Sequence, residues 1–102
     1  MDPENIDEKI RWKRELEKRA AVLATEYLWV LLFVVFQMPG RSFEFYCQAY
    51  AEERETLEKY FRQLLGYGYI NIIFKGKELD IISATDSGKE FVKAVIRESS
   101  SS

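Results

Sequence analysis

Apolar residues recur along the first third of the chain with the period of a helix. Leu16, Ala20, Leu23, Tyr27, Val30 and Val34 follow one another in alternating steps of four and three, and Ala24, Leu28, Leu31 and Val35 run beside them. Ahead of these stripes, residues 2–19 mix six acids with six bases. Glu15 stands three and four residues before Lys18 and Arg19, the spacing of side-chain pairs on a solvated helix. Pro3 suits a first helical turn, with Asp2 as its cap. The pattern predicts a helix that is amphipathic at first and buried nearly all round later, ended by Pro39 and Gly40. Neither Gly nor Pro interrupts residues 4–37. One long helix is therefore expected, with two helices as the alternative.

Ser42 can cap a second helix over 43–50, with Glu44 in its first turn. A break falls near Ala51 and Glu52. A third helix follows over 53–65, with Leu57, Phe61, Leu64 and Leu65 as its buried stripe and Gly66 and Gly68 at its end. The Ile-rich runs 69–74 and 79–83 read as strands joined by a hairpin turn, Lys75-Gly76-Lys77-Glu78. Ser87 and Glu90 have capping-box spacing, and Asp86 competes for the cap of a last helix carrying Phe91, Val92, Val95 and Ile96. The serine run 99–102 reads as a frayed, disordered end. The chain divides into a charged helical extension, 1–19, a folded domain, 20–98, and that tail.

Composition narrows the function classes. The chain has 102 residues, 47% apolar and 31% charged, which suits one folded domain. It has no His and a single Cys, Cys47. An internal disulfide is thereby excluded, a metal site is not expected, and the commonest general base is missing. No Gly-rich phosphate loop or nucleophile elbow is present, so neither a cofactor nor an enzyme is expected. The wholly apolar run Tyr27 to Phe36 is ten residues long, against the roughly 20 needed to span a bilayer. A cytoplasmic protein without a membrane partner is the expectation. Net charge is −2, so any nucleic-acid binding must rest on local positive charge.

The order helix, helix, helix, hairpin, helix resembles the winged helix-turn-helix superfamily. Two stretches carry the likeness. Leu64-Leu65-Gly66-Tyr67-Gly68-Tyr69-Ile70 is similar to the end of a recognition helix. Asp80 to Phe91, containing Thr85-Asp86-Ser87-Gly88-Lys89, looks like a second wing strand running into the Thr-x-x-Gly-Lys start of the last helix, as in MarR-type regulators and small archaeal winged-helix proteins. The resemblance implies an α+β, mostly helical fold with a long N-terminal helix and a β-hairpin wing. It also implies double-stranded DNA as partner, with the third helix in the major groove and the wing on the backbone.

Carried over by position, the implied contacts are Arg54, Glu55, Thr56, Lys59, Tyr60 and Arg62 on the third helix. Lys75 and Lys77 would act at the wing and Arg41 on the flanking backbone. A homodimer is expected through the projecting N-terminal helix, with Ile6, Ile10, Trp12 and Leu16 as its interface. The chain departs from the pattern in charge: residues 20–70 hold six acids against four bases. Lys59 and Arg62 can equally be a solvated face paired with Glu55 and Glu58. A winged-helix protein-interaction module without DNA binding is therefore the competing reading.

Overall fold

The computed structural model describes residues 3–50 and 53–100, with side chains over 8–50 and 53–99. The elements are α1 (Pro3–Ala24), α2 (Glu26–Gln37), β1 (Arg41–Ser42), α3 (Phe43–Tyr50), α4 (Arg54–Tyr67), β2 (Ile70–Lys75), β3 (Glu78–Ala84) and α5 (Asp86–Ser100). The proposed cap Asp2, the break at Ala51 and Glu52, and the last two serines lie outside the described residues.

The expected long N-terminal helix is two helices. Thr25 leaves helical geometry, at φ −108° and ψ 96°, and the axes on either side are bent by 101°. The chain itself supplies the reason. Thr25 takes the cap position without a side-chain hydrogen bond, Glu26 complements the positive end of the new helix, and the composition changes there from charged to apolar. The bend lets α2 enter the core while α1 stays in solvent. It also splits the first apolar stripe, so Leu16 and Leu23 are exposed. The second stripe supplies the core instead, through Leu28, Leu31 and Val35, joined by Val22 and Leu32. No residue of α2 from Tyr27 to Phe36 is exposed. Among the described residues no single helix is long and apolar enough to cross a membrane.

Around α2 pack Leu57, Phe61 and Leu64 of α4, Ile70 and Ile82 of the sheet, and Phe91 and Val92 of α5, all buried. Rings fill the remaining space: Tyr46 lies against Phe61, and Tyr69 against Phe91. The sheet has the order β1-β3-β2 and is antiparallel. Its edge strand β1 was hidden in the sequence by its length of two residues. Arg41 pairs with Ile82 and Ser42 with Ile81, which ties the start of α3 to the wing. Ser42 is also the predicted cap, its Oγ accepting the Phe45 N–H at 3.2 Å.

The hairpin is one step tighter than the sequence predicts. Lys75 pairs with Glu78 as the last rung, and Gly76-Lys77 alone make the turn, with Gly76 at φ 66°. The register shifts after Ile73, which pairs with Ile81 while Phe74 pairs with Leu79, so Asp80 is an extra residue in β3. Helix α4 runs through Gly66. It is Gly68, at φ 82°, that ends it, with the Gly68 N–H on the Leu65 carbonyl and the Tyr69 N–H on the Leu64 carbonyl.

The cap of α5 is Thr85, not Ser87 or Asp86. Its Oγ1 accepts the Gly88 N–H at 3.1 Å and donates to the Gly68 carbonyl at 2.6 Å. The helix carries on through Ser99 and Ser100, where the serine run predicts a frayed end.

Candidate nucleic-acid interface

Helix α4 presents Glu55, Lys59 and Gln63 on one exposed line at successive turns, and Lys75 and Lys77 stand exposed on the hairpin beside it. Among the described residues, Lys59, Lys75 and Lys77 form no ion pair. These three ammonium groups are free to meet a phosphate. Gln63 was not singled out from the sequence. Its signal was positional, four residues beyond Lys59 on the same outward line, and its amide can read adenine bidentately.

Of the other basic candidates, Arg54 and Arg62 are held in ion pairs, while Arg41 is exposed and packs on a ring. Arg54, the first residue of α4, pairs with Glu44 of α3 and lies over the Phe43 ring at 5.3 Å. The Arg41 guanidinium lies over Phe45 at 5.3 Å. Arg62 makes three contacts: an ion pair with Glu58 at 2.9 Å, a hydrogen bond donated to the Lys77 carbonyl at 3.4 Å, and a position over the Phe74 ring at 5.5 Å. The i,i+4 pairing read from sequence thus forms for Arg62 and Glu58, but not for Lys59 and Glu55. Arg62 acts as a staple between α4 and the wing.

Two candidates turn inward. Thr56 is half-buried. Tyr60 is half-buried and stacks on Tyr27 of α2, with ring centroids 5.2 Å apart and planes 15° from parallel. The structure therefore leaves Glu55, Lys59, Lys75 and Lys77 exposed and places Tyr60 against the scaffold. The tip end of the wing and the starts of α3 and α4 meet at a small cleft of about 170 Å³ lined by Arg54, Lys75, Glu44, Glu78 and Asp80. Its acids outnumber its bases, so it does not favour an anion.

The end of α4 is also fastened to α1. The buried Tyr69 hydroxyl donates to Glu15 at 3.0 Å, Glu15 pairs with Arg19 at 3.0 Å, and Arg19 lies over Phe91 at 5.3 Å. Burial, reinforced by the Glu15 carboxylate, holds the Tyr69 phenol well above the usual tyrosine range. Beyond this clasp α1 leaves Ile10, Trp12, Leu16 and Leu23 exposed. The side chain of Ile6 lies outside the described residues.

Cys47 is buried in α3, where burial raises its thiol pKa. That is the setting of a packing residue. Among the described residues no cluster of three His, Cys, Asp or Glu side chains is placed to hold a metal ion.

No family model matches the sequence, and no curated protein is similar to it. The structure is similar to the crystal structure of MepR, a transcription regulator of the Staphylococcus aureus multidrug efflux pump MepA. The TM-score is 0.61 at 16% identity, covering 92% of this chain and 73% of that one. At that identity the likeness is one of fold. The chain therefore has the MarR-like winged helix fold, mostly helical α+β, in which α3 and α4 form the helix-turn-helix and β2–β3 the wing.

Proposed function

We propose that this protein is a DNA-binding transcriptional regulator, cytoplasmic and homodimeric, that acts by binding and not by catalysis. The observation that carries the reading is the fold shared over 92% of the chain with a transcription regulator. In this reading α4 enters the major groove, where Lys59 and Gln63 meet base edges or phosphates, and Lys75 and Lys77 hold the backbone from the wing. Arg54 and Arg62, exposed but paired with Glu44 and Glu58, brace the binding face, and Arg41 meets the flanking backbone. Glu55, on the same line as Lys59, accepts from cytosine or repels phosphate, which makes binding selective and not strong.

A second reading keeps the fold and drops the DNA. It is favoured by the charge of α4 and its cap, three acids against three bases over residues 53–67, two of the bases being committed. The chain would then be an assembly module docking through α1.

An electrophoretic shift on mixed-sequence duplex across a salt series separates the two. The regulator binds at low salt, loses affinity steeply with added salt, and binds more weakly still as a Lys59→Glu, Lys77→Glu variant. Absence of any shift at low salt from folded protein assigns the chain to the second reading.

A further inference from the structure

The densest positive charge of this chain is not on its helix-turn-helix. Residues 9–19 hold six bases against two acids, whereas residues 53–67 hold three of each. Within α1, Arg11, Arg14 and Lys18 succeed one another at three- and four-residue steps and so share one side of the helix. All three are exposed, and among the described residues none forms an ion pair. They form a straight basic ridge about 10 Å long at the rise of an α-helix.

We infer that this ridge is a second DNA-contacting surface, which takes the phosphate backbone of duplex flanking the site held by α4 and the wing. The inference rests on the DNA-binding reading above and extends it to a different element.

Three considerations select this occupant. The first is charge complementarity: about 10 Å of duplex carries roughly three phosphates per strand, one for each basic side chain. The second is need. With Arg54 and Arg62 paired with Glu44 and Glu58, the binding face retains, among the described residues, Arg41, Lys59, Lys75 and Lys77, and acids stand beside them. The third is the distribution of apolar residues around α1. Trp12, Leu16 and Leu23 lie on a side away from the ridge, while Ile10 lies apart from both Trp12 and Leu16 by the helical period. The helix therefore lacks the single wide apolar face that would settle it into a lipid surface, and the ridge stays open when the Trp12 side is covered.

The test compares the full-length wild type with two neutralised variants, Arg11→Gln/Arg14→Gln/Lys18→Gln and Lys75→Gln/Lys77→Gln, on the same mixed-sequence duplex across a salt series. The expected result for the ridge variant is a plot of log affinity against log salt that is shallower by about 2 to 3 for each protomer bound, about 5 for the proposed dimer, with at least a tenfold loss at low salt. A charge-preserving variant, Arg11→Lys/Arg14→Lys/Lys18→Arg, keeps the wild-type slope. A ridge variant that binds with the wild-type slope, while the wing variant weakens, overturns this inference and leaves the DNA-binding reading standing. A wild type that shifts no duplex overturns both. Loss of slope in the charge-preserving variant also overturns it, since the effect is then structural. Capture of the wild type by phosphatidylserine vesicles, at a salt concentration that abolishes the DNA shift, overturns it in favour of a lipid surface.

Discussion

Gly88 shows how one residue can fix the meeting of three elements. A Cβ at this position would lie 2.1 Å from the Tyr69 carbonyl oxygen, which itself accepts the Thr85 N–H at 3.1 Å. The first turn of α5 is thus pressed onto the backbone that joins α4 to the wing. The Thr-x-x-Gly sequence is the imprint of that contact: Thr85 caps and Gly88 clears. Gly88→Ala should cost about 2 kcal/mol or more, because backbone and not a flexible side chain must give way. Thermal unfolding would show a midpoint lower by roughly 10 °C, and an unchanged midpoint would mean that the carbonyl retreats freely. Tyr69 itself carries a pH signature. Its phenol pKa is raised in the folded chain above the ordinary 10.0, and those of Tyr46 and Tyr50 are raised by burial as well. Above pH about 10 the unfolded chain sheds protons that the folded chain keeps, so stability is full below that pH and falls as pH rises further. Urea midpoints measured on the alkaline side should fall accordingly. Tyr69→Phe should flatten that fall, at a cost of about 1 kcal/mol at neutral pH for the lost hydrogen bond to Glu15. A slope identical to the wild type's would assign the alkaline transition to other groups.

At the scale of elements, six β2–β3 rungs build the wing and Arg62 fastens its tip to α4. Its β2 strand lies at the edge of the sheet and exposes Ile73 and Phe74, so the guanidinium over Phe74 and on the Lys77 carbonyl is what ties the hairpin tip to α4. Arg62→Lys keeps the charge but loses the planar fork. It should speed hydrogen exchange at Gly76 and Lys77 while leaving the salt dependence of DNA binding unchanged. Unchanged exchange at those two residues would show that the hairpin tip does not depend on the Arg62 fork. The same residue shows what was legible in the sequence. Its i,i+4 pairing with Glu58 could be read from spacing, but its contacts with Phe74 and Lys77 span more than a local pattern reports. Periodicity located the buried stripe of α4, because burial repeats with the helix, and Ile-rich composition with a glycine turn located both wing strands. Periodicity did not reveal β1, whose two residues are too few for a period. Nor did it reveal the break at Thr25, where the apolar spacing runs on unbroken and only a Thr-Glu start signal marks a new helix. Tyr60 stands one position from Lys59, and its ring has a partner in Tyr27 that no sequence distance indicates.

The whole molecule is less compact than its length requires. Its radius of gyration is 15.2 Å and its extents are 51 × 37 × 21 Å, whereas a compact domain of this size has a radius near 13 Å. The 101° bend at Thr25 swings α1 outward, and the clasp of Tyr69, Glu15 and Arg19 fixes it there. A helix held out in this way, with Trp12 60% and Leu16 50% exposed, is costly for a lone chain and natural for a pair related by a twofold axis. The homodimer of the proposed function therefore makes a prediction that separates assembly from folding. Trp12→Glu/Leu16→Glu alters only side chains that a single chain leaves in solvent, so the circular dichroism spectrum should not change. Sedimentation velocity should show the wild type as a dimer and the variant as a monomer. DNA affinity should fall at least tenfold, because two linked domains bind one duplex with an effective concentration that separate domains lack. A wild type that sediments as a monomer removes the twofold argument. A variant that stays dimeric moves the interface to another surface, and a monomeric variant with undiminished affinity shows that one domain reads its site alone.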